Sequence, residues 1–295
     1  MAPECDGPYV FHHMPGYALT SPLLFGEPVR PAVRYKAMRD SLNLVIDKFK
    51  AGGRVASAGV YVHDLVHSEW TGVNLTEQYD PGSMMKISVL MYWLERAMHE
   101  PGLLEREFEF TPTPGLNLPA PRIEGPHVTV GQRYSINDLL RYMIVHSDNH
   151  ATSMLTRLMD PDRFLDLYQE LGLVRPGRGD TRHPMSCQDL SAFLKTLYNA
   201  TLLDPEHSEI ALKLLSETTF KEGLRKGVPK EVSLVHKFGE SGTPQDIQLH
   251  EVGIAYAGEH PYLIAVMTRG TDLETQEDLI AELSGCAYRG FTKQP

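Results

Sequence analysis

The chain has 295 residues, of which 42% are hydrophobic and 22% charged. That is enough apolar material for a sizeable core in one large domain or two interleaved lobes, and it excludes wholesale disorder. Gly (24) and Pro (21) are near ordinary usage, so collagen-like and linker-like chains are excluded too. Acidic residues outnumber basic ones 38 to 28, a net charge of −10, which disfavours a nucleic-acid partner. No apolar run approaches the ~18 residues of a membrane-spanning helix. Cys5, Cys187 and Cys286 are far apart and odd in number, which argues against both a CxxC zinc site and a disulfide framework. The N-terminal stretch lacks a basic region followed by an apolar one, so no signal peptide is read in this chain.

Residues 1–30, rich in Pro, Gly and aromatics, read as an irregular arm, with His12-His13 expected at the surface rather than on a metal. Helical spacing then runs from Pro31 to Lys50 and stops at Ala51-Gly52-Gly53. Val55–Val62 and Glu69–Val73 read as a hairpin turning at His67-Ser68. Asp80-Pro81 opens a strong helix over 80–98. The Pro-rich stretch 110–128 reads as an ordered loop. Ser135 with Asp138 predicts a capped helix, another follows Ser147-Asp148-Asn149, and three more cover 161–171, 187–199 and 205–216. From Val232 the period changes to that of strands: Ser233–Phe238, Gln248–Ala257 and Tyr262–Thr268, antiparallel, followed by a helix capped by Thr271.

The expected fold is therefore α/β (α+β): an antiparallel sheet flanked by terminal helices, plus an all-helical lobe. The arm (1–30) would precede an α/β lobe (31–75 and 226–295) and a helical lobe (76–225), with a ligand cleft between the lobes.

Three short patterns carry chemistry. Ser83-Met84-Met85-Lys86 is an S-x-x-K in the first turn of a helix. Positions i and i+3 share a helix face, so Lys86 can reach Ser83 and act as the base its weakly acidic hydroxyl needs. A lysine shielded from water among other cations can lose its proton near neutral pH. Ser147-Asp148-Asn149 offers a hydroxyl to relay a proton and an amide to orient a substrate amide; alone it is simply a well-capped helix start. Lys237-Phe238-Gly239 offers a cation and an exposed strand edge whose Gly permits close approach of a ligand; alone it reads as a surface lysine. Each pattern is weak by itself, and the three in this order on these elements are specific.

With all three in place the chain resembles the class A β-lactamase-related serine hydrolases, within the penicillin-recognising acyl-serine enzymes, over residues of about 41 to 290. Ser147-Asp148-Asn149-His150-Ala151-Thr152 is similar to the family's S-D-N-T-A-x, and His236-Lys237 to the H-K-T-G variant. The resemblance implies that Ser83 is the acylated nucleophile, Lys86 its base directly or by relay, Ser147 a proton shuttle, Asn149 the holder of the substrate amide and Lys237 the attractor of a substrate carboxylate that also assists Ser147. The oxyanion hole would be the backbone N–H groups of Ser83 and Glu240, with Gly239 at the strand edge. It further implies a small-molecule or peptide substrate (a β-lactam or a peptidoglycan-like amide), no cofactor, no metal, a monomer and an exported protein.

Two departures bear on activity. No E-x-x-L-N, whose glutamate activates the deacylating water in class A enzymes, occurs between Asn149 and Lys195. The nearby carboxylates are Asp160, Asp162, Asp166, Glu170 and Asp180; those on the predicted helix read as its solvated face, and Asp180 as a lesser candidate base. Slow deacylation is therefore expected, the behaviour of a penicillin-binding protein. Second, Phe238 stands where the family has a hydroxyl, and Glu240 adds a negative charge that repels anionic substrates if it faces the cleft. Arg269 is a possible replacement anchor, although a surface arginine is the more expected reading. His63 and His67, on a strand and its turn, do not share a face. A D-alanyl-D-alanine carboxypeptidase-type enzyme, a hydrolase of an unrelated ester or amide, and a non-catalytic penicillin-binding or sensor module remain alternatives.

Overall fold

The computed structural model describes residues 8–112, 118, 123, 125–180 and 183–292. Cys5, most of the Pro-rich loop and Thr181-Arg182 lie outside the described residues. In chain order the elements begin with strands β1 (Tyr9–His13) and β2 (Leu23–Pro28), helix α1 (Lys36–Ala51), and strands β3 (Val55–Asp64) and β4 (Glu69–Val73). A 3₁₀ turn at Gly82–Met85 runs into α2 (Lys86–His99). The short strands β5 (Glu107–Glu109) and β6 (Arg133–Ser135) precede α3 (Ile136–Val145), α4 (Asn149–Arg157), α5 (Pro161–Glu170), α6 (Cys187–Tyr198), α7 (Pro205–Ser216) and α8 (Leu224–Gly227). The chain returns through β7 (Ser233–Thr243), β8 (Asp246–Ala257) and β9 (His260–Gly270) to α9 (Leu273–Thr292).

The main sheet has the order β4-β3-β9-β8-β7, antiparallel throughout. Both its faces are buried, and the two-residue period of a strand sorts them. Along β9, Leu263, Ala265 and Met267 enter the core shared with α2, α3 and α6, whereas Tyr262, Ile264 and Val266 enter the core under α1 and α9. Leu42 and Ile46 of α1 and Leu279, Ile280 and Leu283 of α9 are the apolar stripes that cover that second face. Among the described residues no helix is long and apolar enough to cross a membrane.

The arm differs from its reading as irregular: β1 and β2 pair as an antiparallel hairpin. Its strand signal is hidden because Gly26 interrupts β2, and the space a side chain would fill there is taken by the Phe11 ring, 2.9 Å from the position of a Cβ. The 80–98 helix also divides, because the S-x-x-K serine sits in the 3₁₀ turn and the α-helix starts at Lys86. The last helix is capped by Asp272, which accepts the Thr275 N–H at 2.8 Å, rather than by Thr271. The predicted Ser135–Asp138 capping box is present, and a second one joins Ser186 to Asp189.

Candidate active site

The segment carrying Ser83 is clamped onto the edge strand β7 and its neighbour β8. Asp80 O accepts hydrogen bonds from Ser241 Oγ (2.7 Å) and pairs with His250 Nε2 (2.9 Å), and Asp80 N–H donates to Gln248 Oε1 (2.9 Å). Gly82 has φ +52°, and a Cβ there would overlap the Glu240 carbonyl oxygen. A Cβ on Gly239 would lie 2.7 Å from the Met84 backbone nitrogen. Two glycines thus let the 3₁₀ turn and the strand edge meet main chain to main chain, which brings Ser83 beside Gly239 and Glu240.

Ser83 is half-buried and opens, with Lys86 and Asn149, onto a cavity of about 610 Å³. Lys86, 4% exposed, donates to Ser147 O (2.7 Å), Ser147 Oγ (3.1 Å) and Asn149 Oδ1 (2.8 Å). Lys237, wholly buried, donates to Ser147 Oγ (3.0 Å) and Phe238 O (2.9 Å). Ser147 sits in the α3–α4 connection at φ +54°, a left-handed conformation uncommon for a residue with a side chain. That conformation aims its hydroxyl between two amines, a local strain retained at a site of convergence. With both lone pairs of Oγ taken by lysine donors, its own proton is left to donate. Asp148 holds the connection: it caps α4 through the Ala151 N–H (2.9 Å) and accepts the Val128 N–H (3.2 Å).

Burial drives the Lys86 ammonium down to about 7, against the pull of the Asp148 carboxylate. Burial, and then the charge of Lys86, push Lys237 well below the ordinary lysine range, with Glu251 opposing. Two buried amines on one hydroxyl are thus a source of neutral nitrogen near neutral pH. Beneath them, His236 Nδ1 and Glu251 Oε1 are 2.5 Å apart, and Glu251 Oε2 accepts the Leu224 N–H (2.8 Å).

All seven residues singled out in sequence therefore gather around one cavity mouth: Ser83, Lys86 and Asn149 line it, Ser147 and Lys237 lie one hydrogen bond behind, and Gly239 and Glu240 abut the turn. Glu240 is exposed. Arg269 lies elsewhere, 3.4 Å from Asp246 and over the Tyr79 ring. His63 is buried beside Tyr61 and His67 pairs with Asp64. Among the described residues no cluster of His, Cys, Asp or Glu is arranged to hold a metal ion.

The carboxylates near the missing glutamate are engaged. Asp160 caps α5; Asp162, Asp166 and Glu170 pair with Arg178, Arg175 and Arg163; Asp180 accepts the Gly177 N–H at 2.7 Å. The arginines of the 175–180 loop are thereby tied back to α5, forming one wall of the cavity. Sequence reasoning missed Tyr168 and His183, which line it with their rings edge-to-face at 5.1 Å. Burial lowers the His183 imidazole and raises the Tyr168 hydroxyl to about 12.

A five-stranded sheet flanked by terminal helices, with a helical lobe against its other face, and an S-x-x-K turn seated on its edge strand define a serine hydrolase of the β-lactamase type. The chain belongs to the Beta-lactamase enzyme family, which it matches over residues 38–291. Its fold is similar to that of PBP-A, at 20% identity and a TM-score of 0.74, covering 90% of this chain and 98% of that one. It is likewise similar to a beta-lactamase from Streptosporangium roseum (20% identity, TM-score 0.73, 88% of this chain and 99% of that one). A class A beta-lactamase from Mycobacterium abscessus gives 20% identity and a TM-score of 0.71, over 86% and 99% of the two chains. No curated protein sequence matches.

Proposed function

We propose that the chain is an acyl-serine hydrolase in which Ser83 is the nucleophile and Lys86 its base, acting on a β-lactam or a peptide-like amide or ester, with slow deacylation. The observation that carries this reading is the junction of two buried, pKa-lowered lysines on the Ser147 hydroxyl, at the mouth of the cavity that Ser83 lines. Neutral Lys86 takes the Ser83 proton as Oγ bonds to the substrate carbonyl carbon. The bond to the leaving nitrogen or oxygen then breaks, and Ser147 hands that group a proton replenished from the lysines. Asn149 orients the substrate, Lys237 holds the Ser147 hydroxyl from behind, and the N–H groups of Ser83 and Glu240 receive the oxyanion. Engagement of Asp160, Asp162, Asp166 and Glu170 supports slow deacylation, and leaves Asp180, which lines the cavity and accepts one backbone N–H, as the remaining candidate base.

The direct test is intact-mass analysis after incubation with benzylpenicillin and, separately, a fluorophosphonate. A persistent adduct mapped to Ser83 and lost in Ser83→Ala is expected; an unmodified Ser83 with both reagents would end the proposal. A pH series discriminates further. Lys86 must be neutral to accept a proton, so the acylation rate should rise as pH passes upward through about 7 and level off above it. A profile flat from about pH 5 to about pH 9 would remove Lys86 as the base.

Gly82→Ala should be severe for a residue that carries no chemistry. The left-handed backbone adds about 1–2 kcal/mol of strain. The methyl also forces the turn off the Glu240 carbonyl, which misaligns the oxyanion donors and should lower the acylation rate by about a hundredfold. Wild-type acylation by this variant would show that the close approach of turn and strand is not required.

A further inference from the structure

The cavity that Ser83 opens onto has a composition of its own. Beside its polar groups, the lining includes an apolar set: Val89 of α2, Met159 beyond α4, and Phe164, Leu165 and Tyr168 of α5. Tyr168 turns its hydroxyl away to Ser88 Oγ (3.1 Å), so its ring is what the cavity meets. The usual anchors for an anionic substrate are meanwhile spoken for. Lys237 is 0% exposed, and its ammonium is consumed by Ser147 Oγ, Phe238 O and the Phe238 ring, 4.3 Å from the ring centroid. The Phe238 side chain that replaces a hydroxyl is stacked on Phe220 with centroids 4.3 Å apart. Arg269 is paired with Asp246, and Arg178, a cation lining the cavity, is paired with Asp162. Lys86, the other cation in the lining among the described residues, is held by Ser147 and Asn149, and the carboxylates Asp80 and Asp180 share that lining.

From this we infer that the preferred substrate is an uncharged ester or amide whose apolar acyl chain fills the Val89–Met159–Phe164–Leu165 chamber, and not a carboxylate-bearing β-lactam. The inference rests on Ser83 being the nucleophile. The chemistry balances with water as the only co-reactant: Ser83 Oγ bonds to the acyl carbon, the alcohol or amine leaves with a proton, and water later releases the acid. A carboxylate entering this mouth would meet like charges and lose its hydration, while among the described residues the lining cations Lys86 and Arg178 are already engaged by Ser147 and Asn149 and by Asp162. Each methylene moved from water into the chamber should raise the acylation rate constant per substrate concentration about fourfold.

The experiment compares p-nitrophenyl acetate, butyrate, hexanoate and octanoate by the p-nitrophenol burst, which reads acylation alone. Benzylpenicillin is then set against its neutral methyl ester. Expected are a rise of about 250-fold from acetate to hexanoate and faster acylation by the methyl ester than by the free acid. Leu165→Trp and, separately, Val89→Phe should flatten the chain-length ratio read within each variant. If the fluorophosphonate labels Ser83 but acetate matches hexanoate, or free benzylpenicillin outruns its ester, the chamber inference falls while the nucleophile stands. If Ser83 is not labelled, both fall.

Discussion

Lys86→Ala should slow acylation of Ser83 by about a hundredfold to ten-thousandfold, the range that a positioned general base supplies. The size follows from what the amine does. It is the cavity-lining amine of the site, burial has already lowered it to about 7, and its three hydrogen bonds fix both Ser147 and Asn149. Removing it deletes the base and leaves Ser147 O and Asn149 Oδ1 without their donor. The loss should therefore exceed that of Ser147→Ala, where Lys86 keeps Ser147 O and Asn149 as acceptors. Stopped mixing with benzylpenicillin or a fluorophosphonate, followed by intact mass, gives both rates, and a folding check by denaturant melt separates chemistry from collapse. Equal rates for wild type and Lys86→Ala would shift the base to Lys237 acting through Ser147.

The arrangement that makes Lys86 effective was visible in the sequence to an unequal degree. Residue identities, order and element types were legible, because the S-x-x-K, S-D-N and K-x-G patterns stand beside apolar stripes of helical or strand period. That both lysines serve Ser147 follows from the resemblance, but their burial and their meeting on its one hydroxyl were not legible, because Lys86 and Lys237 are 151 positions apart. The apolar chamber was hidden for another reason. Phe164, Leu165 and Tyr168 recur at helical spacing, which reads the same whether the face they form abuts a core or an opening. The arginine ties that commit Asp162, Asp166 and Glu170 were equally out of reach, since the sequence presents those carboxylates simply as a polar helix face. The arm hairpin was lost because its period is broken at Gly26.

That arm leads to the largest expected effect on stability. β2 delivers Glu27 into the interior, 3% exposed, where Oε2 accepts from Lys195 Nζ (2.7 Å) and Tyr61 O–H (2.7 Å) and Oε1 from Gln188 Nε2 (2.9 Å). Lys195 is 1% exposed and also lies 4.1 Å from the centre of the Phe25 ring. Burial alone would raise the Glu27 carboxyl, but the lysine charge and these hydrogen bonds hold it at about 2. Lys195→Met strands that carboxylate, and breaking a buried pair from one side costs about 3–5 kcal/mol. The double variant Glu27→Leu with Lys195→Met should recover most of the loss, because an apolar pair replaces an ionic one. The pH dependence should also invert. In the wild type the folded-state value lies below the unfolded one, so the pair's contribution is present above about pH 4.5 and fades as pH falls toward 2. In Lys195→Met burial raises the same group above its unfolded value, so the protein is relatively more stable in mild acid and weakens as pH rises. Denaturant melts at about pH 4 and about pH 8 read both signs, and a variant whose deficit is the same at the two would mean that Glu27 is not held ionised by Lys195.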